Sequence, residues 1–161
     1  MIASPFCIAA ASFLLLCSSL AMAQEWKLVW SDEFDKPGVT DPSLPDPSKW
    51  NYEEGFVRNN EAQYYTHARL ENARVEDGML VIEGRREKFT NARYNPNATR
   101  GPASRPSADY TAASLITMGK AAWKYGRIEV RAKLPQGLGV WPAIWMLGAN
   151  FRQIGSTCIT V

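Results

Sequence analysis

Six tryptophans and six tyrosines in a chain of 161 residues, many of them beside turn residues, supply flat apolar faces with polar handles. Sugar rings suit such faces. Pyranose C–H surfaces are apolar while the hydroxyls around them need hydrogen bonds, so a carbohydrate cleft combines aromatic platforms with Asn, Glu and Arg. Trp141 and Trp145 stand an even number of residues apart and share one face if the segment is a strand. By themselves they suit core packing better than a ligand wall.

Carboxylates are the other groups that could do chemistry, and none forms a convincing acid/base set. Glu33-Phe34-Asp35 has the right alternation but no third acid, and the neighbours Glu53 and Glu54 point apart if extended. Glu71, Glu76 and Asp77 flank a turn and read as solvated charge. His67 is the only histidine, which excludes a His-based triad and a His-rich metal site. Gly137-Leu138-Gly139 lacks the third glycine and following helix of a dinucleotide site, and Asn97-Ala98-Thr99 is a glycosylation triplet of a kind common by chance.

The elements that must position these residues are short β-type runs separated by turn residues. They fall at residues 26–30, 73–75, 79–83, 115–117, 127–134 and 140–147, and no long segment has helical spacing. Asp77-Gly78 sits between two runs and predicts a tight hairpin turn. The clearest alternation sets Arg127, Glu129, Arg131 and Lys133 against Ile128, Val130, Ala132 and Leu134. One face then packs on a core and the other meets water or ligand. Residues 90–109, with Pro96, Pro102 and Pro106, read as one long loop, and residues 41–47 as a second Pro-rich connector. The pattern predicts an antiparallel all-β domain without internal repeats.

Length allows one domain, and 46% hydrophobic with 21% charged residues makes disorder throughout untenable. Residues 1–23 carry no charged side chain and hold a mostly apolar run, residues 6–16, before Ala21-Met22-Ala23. This reads as a secretory signal peptide, with a secreted or periplasmic product. Cys7 and Cys17 would leave with it, so Cys158 would have no partner for an internal disulfide. The 18 basic and 16 acidic residues are interspersed, which argues against a nucleic-acid or membrane-surface footprint. No run reaches the length of a membrane span.

Several separated segments resemble glycoside hydrolase family 16, especially its laminarinase-like members. They are Trp30-Ser31-Asp32-Glu33-Phe34, Ser48-Lys49-Trp50, Asn59-Asn60-Glu61-Ala62-Gln63-Tyr64-Tyr65-Thr66 and Arg74-Val75-Glu76-Asp77-Gly78-Met79-Leu80-Val81-Ile82. Further along come Tyr110-Thr111, the segment from Gly126 to Pro135, and Trp141-Pro142-Ala143-Ile144-Trp145-Met146-Leu147-Gly148. The resemblance implies a concanavalin-like jelly-roll β-sandwich whose concave face binds β-1,3- or β-1,3/1,4-glucan, acting as a monomer. It implies substrate-binding roles for Asn60, Glu61, Trp141 and Trp145, with a turn-stabilising role equally open for Asn60. Ser114 stands where many relatives carry an arginine.

Retaining hydrolysis needs two carboxyl groups about 5 to 5.5 Å apart. The family supplies them from a Glu-x-Asp-x-x-Glu strand, and no such pattern occurs in these 161 residues. Residues 24–161 are therefore expected to be a truncated family 16 domain, incomplete as a jelly roll, without the catalytic strand and C-terminal half, and with no catalytic residue of its own. Three readings follow: an interrupted endo-β-glucanase inactive as given, a non-catalytic β-glucan-binding protein, or a non-functional remnant whose bare strand edges favour aggregation. The resemblance implies no cofactor; some relatives hold a structural calcium ion at the sandwich edge, of which this chain gives no independent sign.

Overall fold

The computed structural model describes residues 25–35 and 42–150. The proposed signal peptide and the last residues, with Cys158, lie outside them. Residues 25–31 fall in a first compact unit, Met1–Ser31, and form no regular element; all that follows concerns the second, Asp32–Val161. No helix among the described residues is long and apolar enough to cross a membrane.

Seven short strands run in the order β1 (Asn51–Tyr52), β2 (Gln63–Tyr65), β3 (Ala73–Glu76), β4 (Met79–Ile82), β5 (Arg85–Thr90), β6 (Ser107–Ala112) and β7 (Leu115–Ile116). One three-residue 3₁₀ turn, Pro102–Ser104, is the sole helical element among the described residues. β3 and β4 form the hairpin that Asp77-Gly78 predicts, pairing Glu76 with Met79 across the turn. Both turn residues take positive φ, 51° and 69°, as a two-residue loop with the twist of its strands requires.

β1 pairs antiparallel with β7. The antiparallel all-β expectation holds, and within it the largest sheet, of order β2-β6-β5, contains one parallel pair, β2 with β6. Parallel neighbours need a crossover rather than a tight turn, and residues 66–106 supply it here. β5 and β6 are antiparallel, with a register shift between Arg86 and Phe89. That shift sets Phe89 against the small core of Phe56, Tyr64 and Ala108. Ring centroids lie 5.5 Å apart for Phe56 and Tyr64, edge to face, and 5.1 Å apart for Tyr64 and Phe89.

Strands at 73–75, 79–83 and 115–117 are present nearly as the sequence predicts. Residues 90–109 are not one loop, since their last part builds β6 and the remainder is drawn in at its neck by buried Asn91. Asn91 Nδ2 donates to the carbonyls of Pro102 and Arg105, at 3.0 and 2.7 Å, and its backbone N–H donates to the Pro106 carbonyl at 3.0 Å. The runs at 26–30, 127–134 and 140–147 form no strand. A strand exists through its ladder, and no ladder joins these residues to any described neighbour. Ile128, Val130 and Leu134, expected on a core, are exposed.

The sheets are tied together by polar side chains. Asn72 and Thr111 are both fully buried. Asn72 Oδ1 accepts from Thr66 Oγ1 and from Arg69 NH1, each at 2.9 Å. Its Nδ2 donates to the Glu83 carbonyl at 3.0 Å and to Thr111 Oγ1 at 2.9 Å. The amide thus uses its full capacity of two donors and two acceptor lone pairs. Thr111 in turn donates to Glu87, which also takes Arg69 bidentately at 2.6 and 3.1 Å. The Arg69 bonds, then the Thr111 bond, pull the Glu87 carboxyl down to about 2 from its ordinary 4.5.

Replacing Asn72 with Ala strands several buried partners at once and is expected to cost about 2 to 4 kcal/mol, read as a lower urea midpoint. Because the folded state holds Glu87 below its ordinary value, its contribution is complete above about pH 4.5 and is lost as pH falls toward about 2. Urea unfolding across that window should show the loss in the native chain, and Glu87→Gln should flatten it.

Candidate functional site

Of the candidate residues, Trp145 meets the Arg58 guanidinium, and Asn60 and Glu61 lie in the turn that begins at the same arginine. β1 and β7 continue past their last ladder pair through Glu53, whose N–H donates to the Ser114 carbonyl at 2.9 Å. Two residues on, Gly55 and Tyr65 exchange backbone hydrogen bonds at 2.9 and 3.0 Å. Gly55 takes φ 100°, a conformation that a side chain would strain. This crossing draws the segment after Gly55 over β2. The chain then reverses at Arg58-Asn59-Asn60-Glu61, closed by Glu61 N–H to the Arg58 carbonyl at 3.1 Å. Asn59 and Asn60 have φ 54° and 53°, the left-handed pair that Asn tolerates better than most residues.

Arg58 therefore points back toward the sheets. Its guanidinium pairs with Glu53 Oε2, which also accepts from Ser114 Oγ at 2.7 Å. The same guanidinium lies 5.6 Å from the Tyr65 ring centroid and 5.3 Å from that of Trp145. Gln63 Nε2 donates to the Tyr65 hydroxyl at 2.9 Å. Burial pushes the Tyr65 phenol up, with the Gln63 bond opposing and the charge of Glu61 adding to the rise. Glu61 has one buried carboxylate oxygen, Oε2, that accepts no hydrogen bond from the described residues. An acceptor in that state costs stability unless something donates to it.

The turn is fastened from outside by Arg105, at the end of the long loop. It donates to the Glu61 carbonyl at 2.7 Å and the Ala62 carbonyl at 3.2 Å while lying 3.5 Å over the Phe56 ring. The cluster combines two aromatic faces, a paired cation and a hydroxyl, which is the chemistry of sugar recognition.

Trp141 and Trp145 do not share a strand face, because residues 140–147 form no strand. Neither packs in a core, Trp145 being 56% and Trp141 91% exposed. No described ring or cation contact joins Trp141 to the cluster. Asn60 serves the turn through its backbone. Arg58 and Tyr65 are not among the residues that sequence singles out: a cation before Asn-Asn marks a turn, and neither residue type by itself names its partners. No group of three or more His, Cys, Asp or Glu among the described residues is arranged to hold a metal ion.

No family model matches the chain. A beta-glucanase of Rhodothermus marinus is 48% identical over 143 residues, covering 84% of this chain and 43% of that protein. A glucan endo-1,3-beta-glucosidase of Cryptopygus antarcticus is 39% identical over 147 residues, covering 89% and 47%. Among solved structures, the catalytic domain of an endo-1,3-beta-glucanase (laminarinase) from Thermotoga petrophila RKU-1 superposes with a TM-score of 0.63 at 43% identity, over 81% of this chain and 47% of that one. The chain belongs to glycoside hydrolase family 16.

This family 16 chain spans less than half the length of each relative named. Its all-β character and antiparallel hairpins agree with the family's jelly-roll class, with the parallel β2–β6 pair as a local exception. In the family 16 turn at 58–61, Asn60→Gly should leave stability nearly unchanged. Asn60→Ala should cost about 1 to 2 kcal/mol, since Ala pays for the left-handed conformation. Thermal or urea unfolding of the two variants side by side checks whether the backbone is what Asn60 serves.

Proposed function

We propose that this chain carries part of the glucan-binding face of an endo-β-glucan hydrolase. The 161-residue polypeptide binds β-1,3- or β-1,3/1,4-glucan without cleaving it. The observation that carries the reading is the cluster of Tyr65 and Trp145 around the Arg58 guanidinium. Aromatic faces take the apolar side of a glucose ring, and the Tyr65 hydroxyl and Arg58 supply polar groups beside them. The names of the two relatives and of the Thermotoga domain supply the substrate class.

Absence of cleavage follows from the carboxylates. Retention needs a nucleophile and a proton donor about 5 to 5.5 Å apart, both free to act on the substrate. Glu53 is engaged by Arg58 and Ser114, and the 161 residues hold no Glu-x-Asp-x-x-Glu strand pattern. Where a longer polypeptide contains that strand, the same face positions the glucan for retaining endo-hydrolysis.

Affinity electrophoresis of the full chain through gels containing a soluble β-1,3-glucan should show retardation. Trp145→Ala should weaken binding about tenfold, within the range for loss of one aromatic sugar contact. A reducing-sugar assay on the same glucan should stay at background. Release of oligosaccharides by the purified chain would refute the proposal of binding without cleavage.

A further inference from the structure

Trp145 lies in a stretch that no ladder holds, since residues 121–150 contain no strand. Exposed side chains on such backbone sample many orientations, and a sugar platform must hold one. Among the described residues, the ring contact that Trp145 makes is with the Arg58 guanidinium, 5.3 Å from its centroid. Arg58 is in turn held from three directions: by its ion pair to Glu53, by the Tyr65 ring at 5.6 Å, and by the tight turn that begins at its own carbonyl. A planar delocalised cation can face aromatic rings while its edge nitrogens bond a carboxylate, which an ammonium cannot do.

We infer that Arg58 is a positioning residue that sets the Trp145 face beside Tyr65 to form a two-ring platform for a neutral glucan segment. The inference rests on the glucan reading above. Arg58 links two aromatics 80 positions apart in sequence, Tyr65 on β2 and Trp145 beyond β7. Its charge is offset by Glu53, so the platform presents donors to hydroxyls without a net cation for sulfate or carboxylate groups. Ser114 stabilises the arrangement at one remove, by holding Glu53 Oε2 at 2.7 Å.

The test uses the full chain with Arg58→Ala, Arg58→Lys, Trp145→Ala and the double variant Arg58→Ala/Trp145→Ala. Glucan affinity is read by electrophoresis. The Trp145 environment is read by fluorine NMR of 5-fluorotryptophan protein, its resonance assigned through Trp145→Phe. Expected are an affinity about tenfold lower for Arg58→Ala, incomplete rescue by Arg58→Lys, and a double variant no weaker than Trp145→Ala alone. The Trp145 resonance should move in both Arg58 variants. Unchanged affinity in both, losses that multiply in the double variant, or an unmoved Trp145 resonance would overturn the role of Arg58 while leaving glucan binding intact. Failure of the native chain to bind glucan would overturn the glucan reading and this inference with it. Arg58→Lys keeps the ion pair to Glu53 and serves if Arg58→Ala fails to fold.

Discussion

A single carboxamide is the point on which this fold depends. Asn72 is buried with all of its side-chain hydrogen-bonding capacity used, and its partners come from just past β2, just past β4 and near the end of β6. The buried apolar residues are few: Phe56, Tyr64 and Ala108 cluster on the three-stranded sheet with Phe89 packed on them, and Ala73 and Val75 are buried on β3. Burial of so few side chains cannot orient a hairpin relative to a sheet. The polar hub does so because every alternative arrangement leaves at least one buried donor or acceptor unmade, at a cost of about 1 to 3 kcal/mol each. Glu87 and Arg69 extend the hub to β5, where their bidentate pairing fixes an orientation that a point charge would not.

The features that sequence made legible were local. Asp77-Gly78 encodes its own turn, because the backbone conformation is set within two residues, and the strands beside it needed no distant information. Much of what was missed was non-local. β2 is three residues long and half-polar, and it is a strand because β6, itself paired with β5, is there. Conversely, the alternation at 127–134 encodes a face but not the neighbour that would receive it. Period-2 patterning states what a segment would do if paired; it does not supply the pair.

The candidate site shows the same division. Family resemblance led to Glu61 and Trp145, both of which border the cluster, and to Trp141, which no described ring or cation contact brings there. Arg58 carried no signal by type, since surface arginines are ordinary, and its importance appears only when Glu53, Tyr65 and Trp145 are seen around one guanidinium. Ser114 acquires a part in the same way, as the hydroxyl that keeps Glu53 turned toward Arg58.

The neck formed by Asn91 separates the connection between β5 and β6 into two regimes. Below it, Asn91 and Pro106 lie against the sheet with their backbone groups joined and Arg93 reaches Glu54; beyond it, residues 94–101 join no strand ladder. Extending a flexible loop to twice its length adds only about 0.6 kcal/mol of closure entropy, and here that cost falls outside the hydrogen-bonded frame. The distal loop is thus free to drift in length and composition over evolutionary time while Arg105, at its base, keeps the Glu61 turn in place. New specificity could be grafted at the rim of this scaffold without renegotiating its foundations.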